Sequence, residues 1–183
     1  MKRTLLVFLF LGFSHLGFGQ TGSGNWLVGG NGRFYQSRAS GIGKNAIEVD
    51  LNVGYFIFNN FSVGIMGGYG FVQGLEEKYN GQLFLRYYVP ITEMIAPYAQ
   101  ANGGYRLRIN QGINNNEVKF YGPMAGGRIG TAFFLSRHVS FDAFFYLDYT
   151  SETNRFADGI ESEPIATYDY GLGIGFQIFL GKD

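Results

Sequence analysis

Three side chains near the C-terminal end have the types that acyl transfer uses: His138, Ser140 two residues on, and Glu152 twelve beyond that. A Ser hydroxyl becomes a nucleophile when an imidazole takes its proton and a carboxylate orients the ring, so all three groups must converge within hydrogen-bond reach. A second set is larger. Arg33, Arg86, Arg106, Arg108 and Arg128 stand against Glu48, Asp50, Asp142, Asp148 and Asp169, five bases and five acids. Brought together away from water, such a set either pairs into a fixed network or lines a polar passage.

The elements that must position these groups show in Ala46–Phe58, AIEVDLNVGYFIF, where Ile47, Val49, Leu51, Val53, Tyr55 and Ile57 alternate with Glu48, Asp50, Asn52 and Gly54. A period of two is the signature of a strand between two unlike environments. Alternation predicts eight strands: Asn25–Gln36, Ala46–Phe58, Phe61–Phe71, Tyr79–Val89, Pro97–Ile109, Phe120–Leu135, Val139–Tyr149 and Thr167–Phe179. Each is close to the roughly 9–11 residues that carry a tilted strand across a bilayer.

The connectors alternate in length. Ser37–Asn45, Val72–Lys78, Asn110–Glu117 and Thr150–Ala166 are long, whereas Asn59-Asn60, Pro90–Ala96 and Ser136–His138 are short. In an up-and-down meander this collects the long connectors at one end, as in outer-membrane barrels with long external loops and short periplasmic turns. Asn59-Asn60 suits a two-residue hairpin, because Asn tolerates positive φ.

In the last strand Tyr168, Tyr170, Leu172, Ile174, Phe176 and Ile178 oppose Thr167, Asp169, Gly171, Gly173, Gly175 and Gln177. A soluble sheet would carry a solvated face rich in Lys, Thr and Glu. Here the polar face holds glycines and isolated opposite charges, which places lipid outside and a narrow interior inside. Two aromatic girdles are expected, Tyr35, Tyr69, Tyr79, Tyr121, Tyr149 and Tyr168 at the long-loop end and Trp26, Phe61, Tyr87, Tyr98 and Phe133 at the other. Phe144 breaks the alternation of the seventh strand.

The N-terminus fits export. Met1-Lys2-Arg3, the apolar Leu5–Phe13 and the small Gly17-Phe18-Gly19 read as a secretory leader over residues 1–19, leaving 20–183 as one domain. The chain is 46% hydrophobic and 15% charged with zero formal net charge, so no basic stripe advertises nucleic acid. It has no Cys, so no disulfide stabilises it.

On these strands and loops, on YGPMAGGRIGTAFFL (Tyr121–Leu135) and on the final YDYGLGIGFQIFL (Tyr168–Leu180), the chain resembles the small eight-stranded outer-membrane barrels of the OmpX and OmpA transmembrane-domain type, particularly those of Bacteroidetes. The resemblance spans the mature chain. It implies an all-β, antiparallel, up-and-down barrel in the bacterial outer membrane, surrounded by lipid and lipopolysaccharide. It also implies insertion by the barrel-assembly machinery, which would read the last strand. The family's signal often ends on an aromatic residue, whereas here Leu180–Asp183 follow Phe179.

His138, Ser140 and Glu152 are similar in spacing to the triad of the outer-membrane lipid A deacylase family, which makes a lipid A-modifying enzyme one expectation. At roughly 3.3 Å per strand residue, His138 and Glu152 belong at opposite ends of the barrel. A turn His and a strand Ser therefore fit better, and catalysis is not expected. An eight-stranded interior is just wide enough to be filled by side chains. The ten charges accordingly read as a network closing the lumen, with Glu48 and Asp50 pairing Arg33, Arg86 or Arg128; the alternative is a narrow porin-like channel for small solutes.

Gly67-Gly68-Tyr69-Gly70 and Gly171-x-Gly173-x-Gly175 open no helix that could hold a phosphate, and read as spacers beside bulky inward groups. Metal and cofactors are not expected; Glu152, Asp158, Glu161 and Glu163 could at most hold Ca²⁺ weakly. The expected role is that of a monomeric structural or adhesive anchor, presenting Ser37–Asn45, Asn110–Glu117 and Thr150–Ala166 to an extracellular ligand.

Overall fold

A computed structural model describes residues 19–39, 42–72, 76–111, 117–154 and 163–181. Residues 1–18 of the expected leader 1–19 lie outside them. Eight strands follow in sequence: β1 (Trp26–Ala39), β2 (Ile42–Phe58), β3 (Phe61–Val72), β4 (Glu76–Tyr88), β5 (Ile95–Gln111), β6 (Glu117–Ser136), β7 (Val139–Asn154) and β8 (Ile165–Leu180). Each pairs antiparallel with the next, and β8 returns to β1, so the sheet is a closed up-and-down barrel. Among the described residues no helix is long and apolar enough to cross a membrane; the crossing elements are strands.

The alternation decides the two faces. Leu51, Leu83, Leu135 and Leu172 are 68–71% exposed on the outside, while Arg33, Asp50, Ser140 and Asp142 are fully buried within. That is a water-soluble protein turned inside out, stable only where the outer face meets hydrocarbon. On that face Tyr69 packs on Tyr79 at 5.2 Å, Tyr149 on Tyr168 at 5.1 Å and Trp26 on Tyr55 at 5.1 Å. Tyr98 corrects the expected girdle: its side chain points inward and is buried, because it shares the parity of Gln100 and Arg106.

The strands outrun the expected ones at the long-loop end. Ser37 pairs with Lys44 and Ala39 with Ile42, so most of the expected loop Ser37–Asn45 is hairpin. Likewise β5 and β6 pair out to Gln111 and Glu117, and β7 and β8 to Glu152 and Ile165. The connectors left outside the described residues are 40–41, 73–75, 112–116 and 155–162, the last containing Asp158 and Glu161. Alternation reports a contrast between two environments, and it fades where both faces meet water although the backbone ladder continues.

The short-turn end is tight. Asn60 takes φ 67° in the Asn59-Asn60 turn. A 3₁₀ turn, Gly19–Thr21, is tucked against it: the Thr21 carbonyl accepts from the Asn60 N–H at 2.7 Å, and the Thr21 hydroxyl donates to Asn60 Oδ1 at 2.5 Å.

Inward glycines give room to large neighbours. In the register of β7 and β8, Gly171, Gly173 and Gly175 stand opposite Tyr146, Phe144 and Asp142. None of the three has a positive φ, so space and not backbone freedom is what they supply. Phe144 fits inward because Gly173 and Gly130 flank it on β8 and β6. A methyl group at Gly64 would meet the Val53 carbonyl and the Gly54 Cα, whereas one at Gly81 meets nothing within 4 Å. Gly64→Ala is expected to lower unfolding free energy in detergent by about 1–3 kcal/mol, and Gly81→Ala to leave it unchanged, in urea titrations followed by heat-modifiable gel migration.

Candidate functional site

The interior is built in layers that follow from strand parity. The lowest, at the short-turn end, is apolar: Leu27, Phe56, Tyr88, Ala96, Tyr98, Ala132, Phe134 and Phe179 belong to one buried cluster that continues up the lumen through Met66, Phe84, Phe144 and Tyr146. Phe134 and Phe179 lie 5.1 Å apart, Tyr88 and Tyr98 5.5 Å, and Phe56 and Tyr88 5.9 Å.

Resting on it is Arg86, whose guanidinium stacks 4.6 Å from the Tyr98 ring, donates from Nε to Gln100 Oε1 at 2.8 Å and from Nη1 to Tyr88 Oη at 2.9 Å. Asp142 lies 3.5 Å from Arg86 Nη1 and accepts from the Ser140 hydroxyl at 2.7 Å. Three amides on β1, β2 and β8 then close a triangle: Asn31 donates to Asn52 at 3.0 Å, Asn52 to Gln177 at 2.9 Å, and Gln177 to Asn31 at 3.1 Å.

The widest connection is a ring around the lumen. Arg33 donates from Nη2 to Glu48 at 2.6 Å and from Nη1 to Asp148 at 2.5 Å. Glu48 also accepts from Asn80 at 2.8 Å, Asn80 from Gln82 at 2.8 Å, Gln82 from Asn102 at 2.6 Å, and Asp148 from Asn102 at 3.2 Å. The circuit Arg33–Glu48–Asn80–Gln82–Asn102–Asp148 thus joins β1, β2, β4, β5 and β7. Asp50 ties it to Arg128, accepting from Arg33 at 3.2 Å and from Arg128 at 2.8 Å. Arg33 and Arg128 stack on Tyr146 and Phe144, 4.8 and 5.0 Å from the ring centres.

Towards the long-loop end, Asp169 takes Arg106 at 2.6 Å and Lys78 at 3.7 Å. Arg108 reaches Glu152 at 2.5 Å and Glu76 at 3.8 Å, over the Phe120 ring at 4.6 Å. All ten charges named from the sequence therefore face inward. Asp148 and Asp169 stand directly opposite on β7 and β8. Their repulsion is offset because each holds a different cation, Arg33 and Arg106.

The geometry does not assemble the candidate triad. His138 lies in the exposed β6–β7 turn, Ser140 is committed to Asp142, and Glu152 to Arg108. Ser140 and Glu152 share one strand, roughly 40 Å apart at 3.3 Å per residue. Among the described residues no group of three or more His, Cys, Asp or Glu is placed to hold a metal ion.

Sequence reasoning missed Lys78, the bridging amides and the aromatic layer. Their signal was present: Lys78, Asn80 and Gln82 share the parity of Arg86, and Phe56, Tyr88 and Phe134 are apolar residues on the polar parity. Such parity-breaking aromatics near strand ends mark where an interior changes from wet to dry.

A closed antiparallel barrel with a charged core and an apolar outer belt defines the outer-membrane type of transmembrane β-barrel. Solved structures agree on this fold. The chain is similar to Neisserial surface protein A, with 12% identity over 85% of this chain and 97% of that one and a TM-score of 0.64. It is similar to the N-terminal β-barrel domain of Pseudomonas aeruginosa OprF, with 13% identity, 87% and 99% coverage and a TM-score of 0.60. For the outer membrane protein OprG of Pseudomonas aeruginosa the identity is 14%, the coverage 89% and 99%, and the TM-score 0.53. No protein-family model and no curated protein sequence matches the chain.

Removing one member of a buried charge cluster strands the others without compensation, at about 3–5 kcal/mol. Arg33→Met, which abandons Glu48, Asp50 and Asp148, should lower unfolding free energy by that amount in detergent or bilayer refolding titrations. Arg108→Met, at the partly exposed mouth, should cost markedly less.

Proposed function

We propose that the protein is a non-catalytic anchor of the bacterial outer membrane, its lumen closed to solutes and its long-loop end offered to partners outside the cell. The observation that carries this is the double filling of the interior: a buried aromatic layer across the short-turn end, under a polar ring that spans the barrel. An eight-stranded barrel has room for side chains and little else, so two stacked fillings of different chemistry support a structural role over transport. Lipid and lipopolysaccharide surround the belt, and the barrel-assembly machinery inserts it. A leader over residues 1–19 precedes the barrel domain 20–183, so the mature protein begins at Gln20; N-terminal sequencing of protein recovered from outer membranes tests that start.

A narrow conduit for small solutes is the second reading. It is favoured by buried guanidinium nitrogens, Nε and Nη2 of Arg106 and Nε and Nη1 of Arg128, that find no acceptor among the described residues. Donors in a polar interior are commonly satisfied by water. Planar-bilayer recording separates the two: the anchor reading expects no steady open level, and a reproducible one would sink it. Should a level be found, Arg106→Gln and Arg128→Gln would alter its ion selectivity if the charge network lines the path.

A further inference from the structure

The chain enters the barrel through a short polar segment. Gln20–Asn25, QTGSGN, lies across the short-turn end before Trp26 opens β1. It carries no large apolar side chain, and Thr21 alone among its residues is buried.

Hydrogen bonds hold it in place. The Thr21 carbonyl accepts from the Asn60 N–H, and its hydroxyl donates to Asn60 Oδ1. The Ser23 N–H donates to Asn59 Oδ1 at 2.9 Å, and the Ser23 hydroxyl to the Ile57 carbonyl at 3.3 Å. The Gly24 N–H donates to the Phe56 carbonyl at 2.9 Å, and Asn25 Nδ2 to the Gln20 carbonyl at 3.3 Å. The segment is thus fastened to the β2–β3 turn and the end of β2, below the layer in which Leu27, Phe56 and Phe179 are 0–1% exposed.

The strength of this fastening is limited by what it lacks. Water replaces a broken hydrogen bond at small net loss, whereas ordering a glycine-rich segment costs more backbone entropy than ordering any other. Segments with few buried apolar contacts open before the rest of a fold. Apolar burial starts only at Leu27, and just before it Gly24 takes φ 92°, a conformation suited to glycine and to a hinge. Asn25 stays with the barrel: its carbonyl accepts from the Phe56 N–H at 2.9 Å, and a methyl group at Gly181, past the end of β8, would run into its side chain.

We propose that residues 20–23 are a releasable latch, which swings about Gly24 while the eight-stranded ladder stays closed and so controls whether water at the short-turn end reaches the aromatic base of the lumen. Asn25 is its catch, holding the Gln20 carbonyl from the closing seam. The base of the lumen then has two barriers in series, one packed and one movable. The latch depends on these contacts alone, wherever the mature chain begins.

A thiol beneath the latch reads its opening. In the refolded chain 20–183, Leu27→Cys should react slowly with a small water-soluble maleimide, and removing residues 20–23 should speed the reaction about tenfold or more. Gly24→Ala adds a methyl group that meets only Tyr55 Oη, at 4.0 Å, but strains the backbone at φ 92°. It should speed labelling about tenfold, and Gly181→Ala, which displaces the Asn25 side chain, should act in the same direction. Thr150→Cys, buried near the long-loop end, should react at one rate throughout. Heat-modifiable migration and the urea midpoint should not change.

Three results overturn the proposal. Equal labelling of Leu27→Cys with and without residues 20–23 would make the segment an idle tail. Labelling that keeps to the rate of global unfolding and ignores Gly24→Ala would make it a fixed part of the fold, as would a urea midpoint that falls in step with the labelling. Sequencing of the mature N-terminus bears on the start at Gln20 and leaves these readouts untouched.

Discussion

Everything in this barrel depends on neutralising the charge that eight strands turn into one narrow interior. Arg33, with its side chain fully buried, meets three carboxylates, and each of these is held by a further donor: Glu48 by Asn80, Asp50 by Arg128, Asp148 by Asn102. A buried charge in low dielectric is tolerated only when its lone pairs and protons are satisfied. The ring meets most of that demand by drawing one residue or more from each of β1, β2, β4, β5 and β7, with Arg33 Nε and Asn102 Oδ1 left without a partner among the described residues. The same bonds that neutralise the charges also hold opposite walls together, so the electrostatic solution and the closure of the sheet are one structure.

The glycines follow from that constraint. A guanidinium or phenol crossing the lumen needs a facing wall without a side chain, and Arg33, Phe144 and Tyr146 face Gly173 and Gly171 on adjacent strands. Large and small thus alternate around the circumference as well as along each strand. The aromatic layer at the short-turn end serves a different demand. There the interior is filled by stacked rings and the methyl groups of Ala96 and Ala132, and the Tyr88 hydroxyl accepts from Arg86 above. The Thr21–Asn60 contact covers the same end from below.

The upper part of the barrel departs from this economy. Its strands continue past the belt, and the β1–β8 ladder ends at Phe34 and Leu172, short of Tyr168 and Tyr170, the most exposed tyrosines of β8. The interior there is also the least dry, with Arg108 and Asp169 partly exposed.

The sequence by itself determined the class of fold and the parity of nearly every strand residue, because lipid outside and charge inside force a period of two that survives in the string of letters. Ile47 to Ile57 against Glu48 to Gly54 is legible without coordinates, as are the hairpin at Asn59-Asn60 and the ten inward charges. Partner choice was not legible. Glu48 and Asp50 sit two residues apart with the same parity, yet which cation each meets depends on strand stagger around a closed cylinder, a relation between β1, β2 and β6 that no local pattern encodes. Tyr98 was misplaced for a related reason, since an aromatic near a strand end fits a girdle and a lumen equally well until parity is traced from its neighbours. Strand length beyond the belt, and the early stop of the β1–β8 ladder, belonged wholly to the tertiary structure: once both faces meet water, alternation carries no contrast, and only backbone pairing decides where a strand ends.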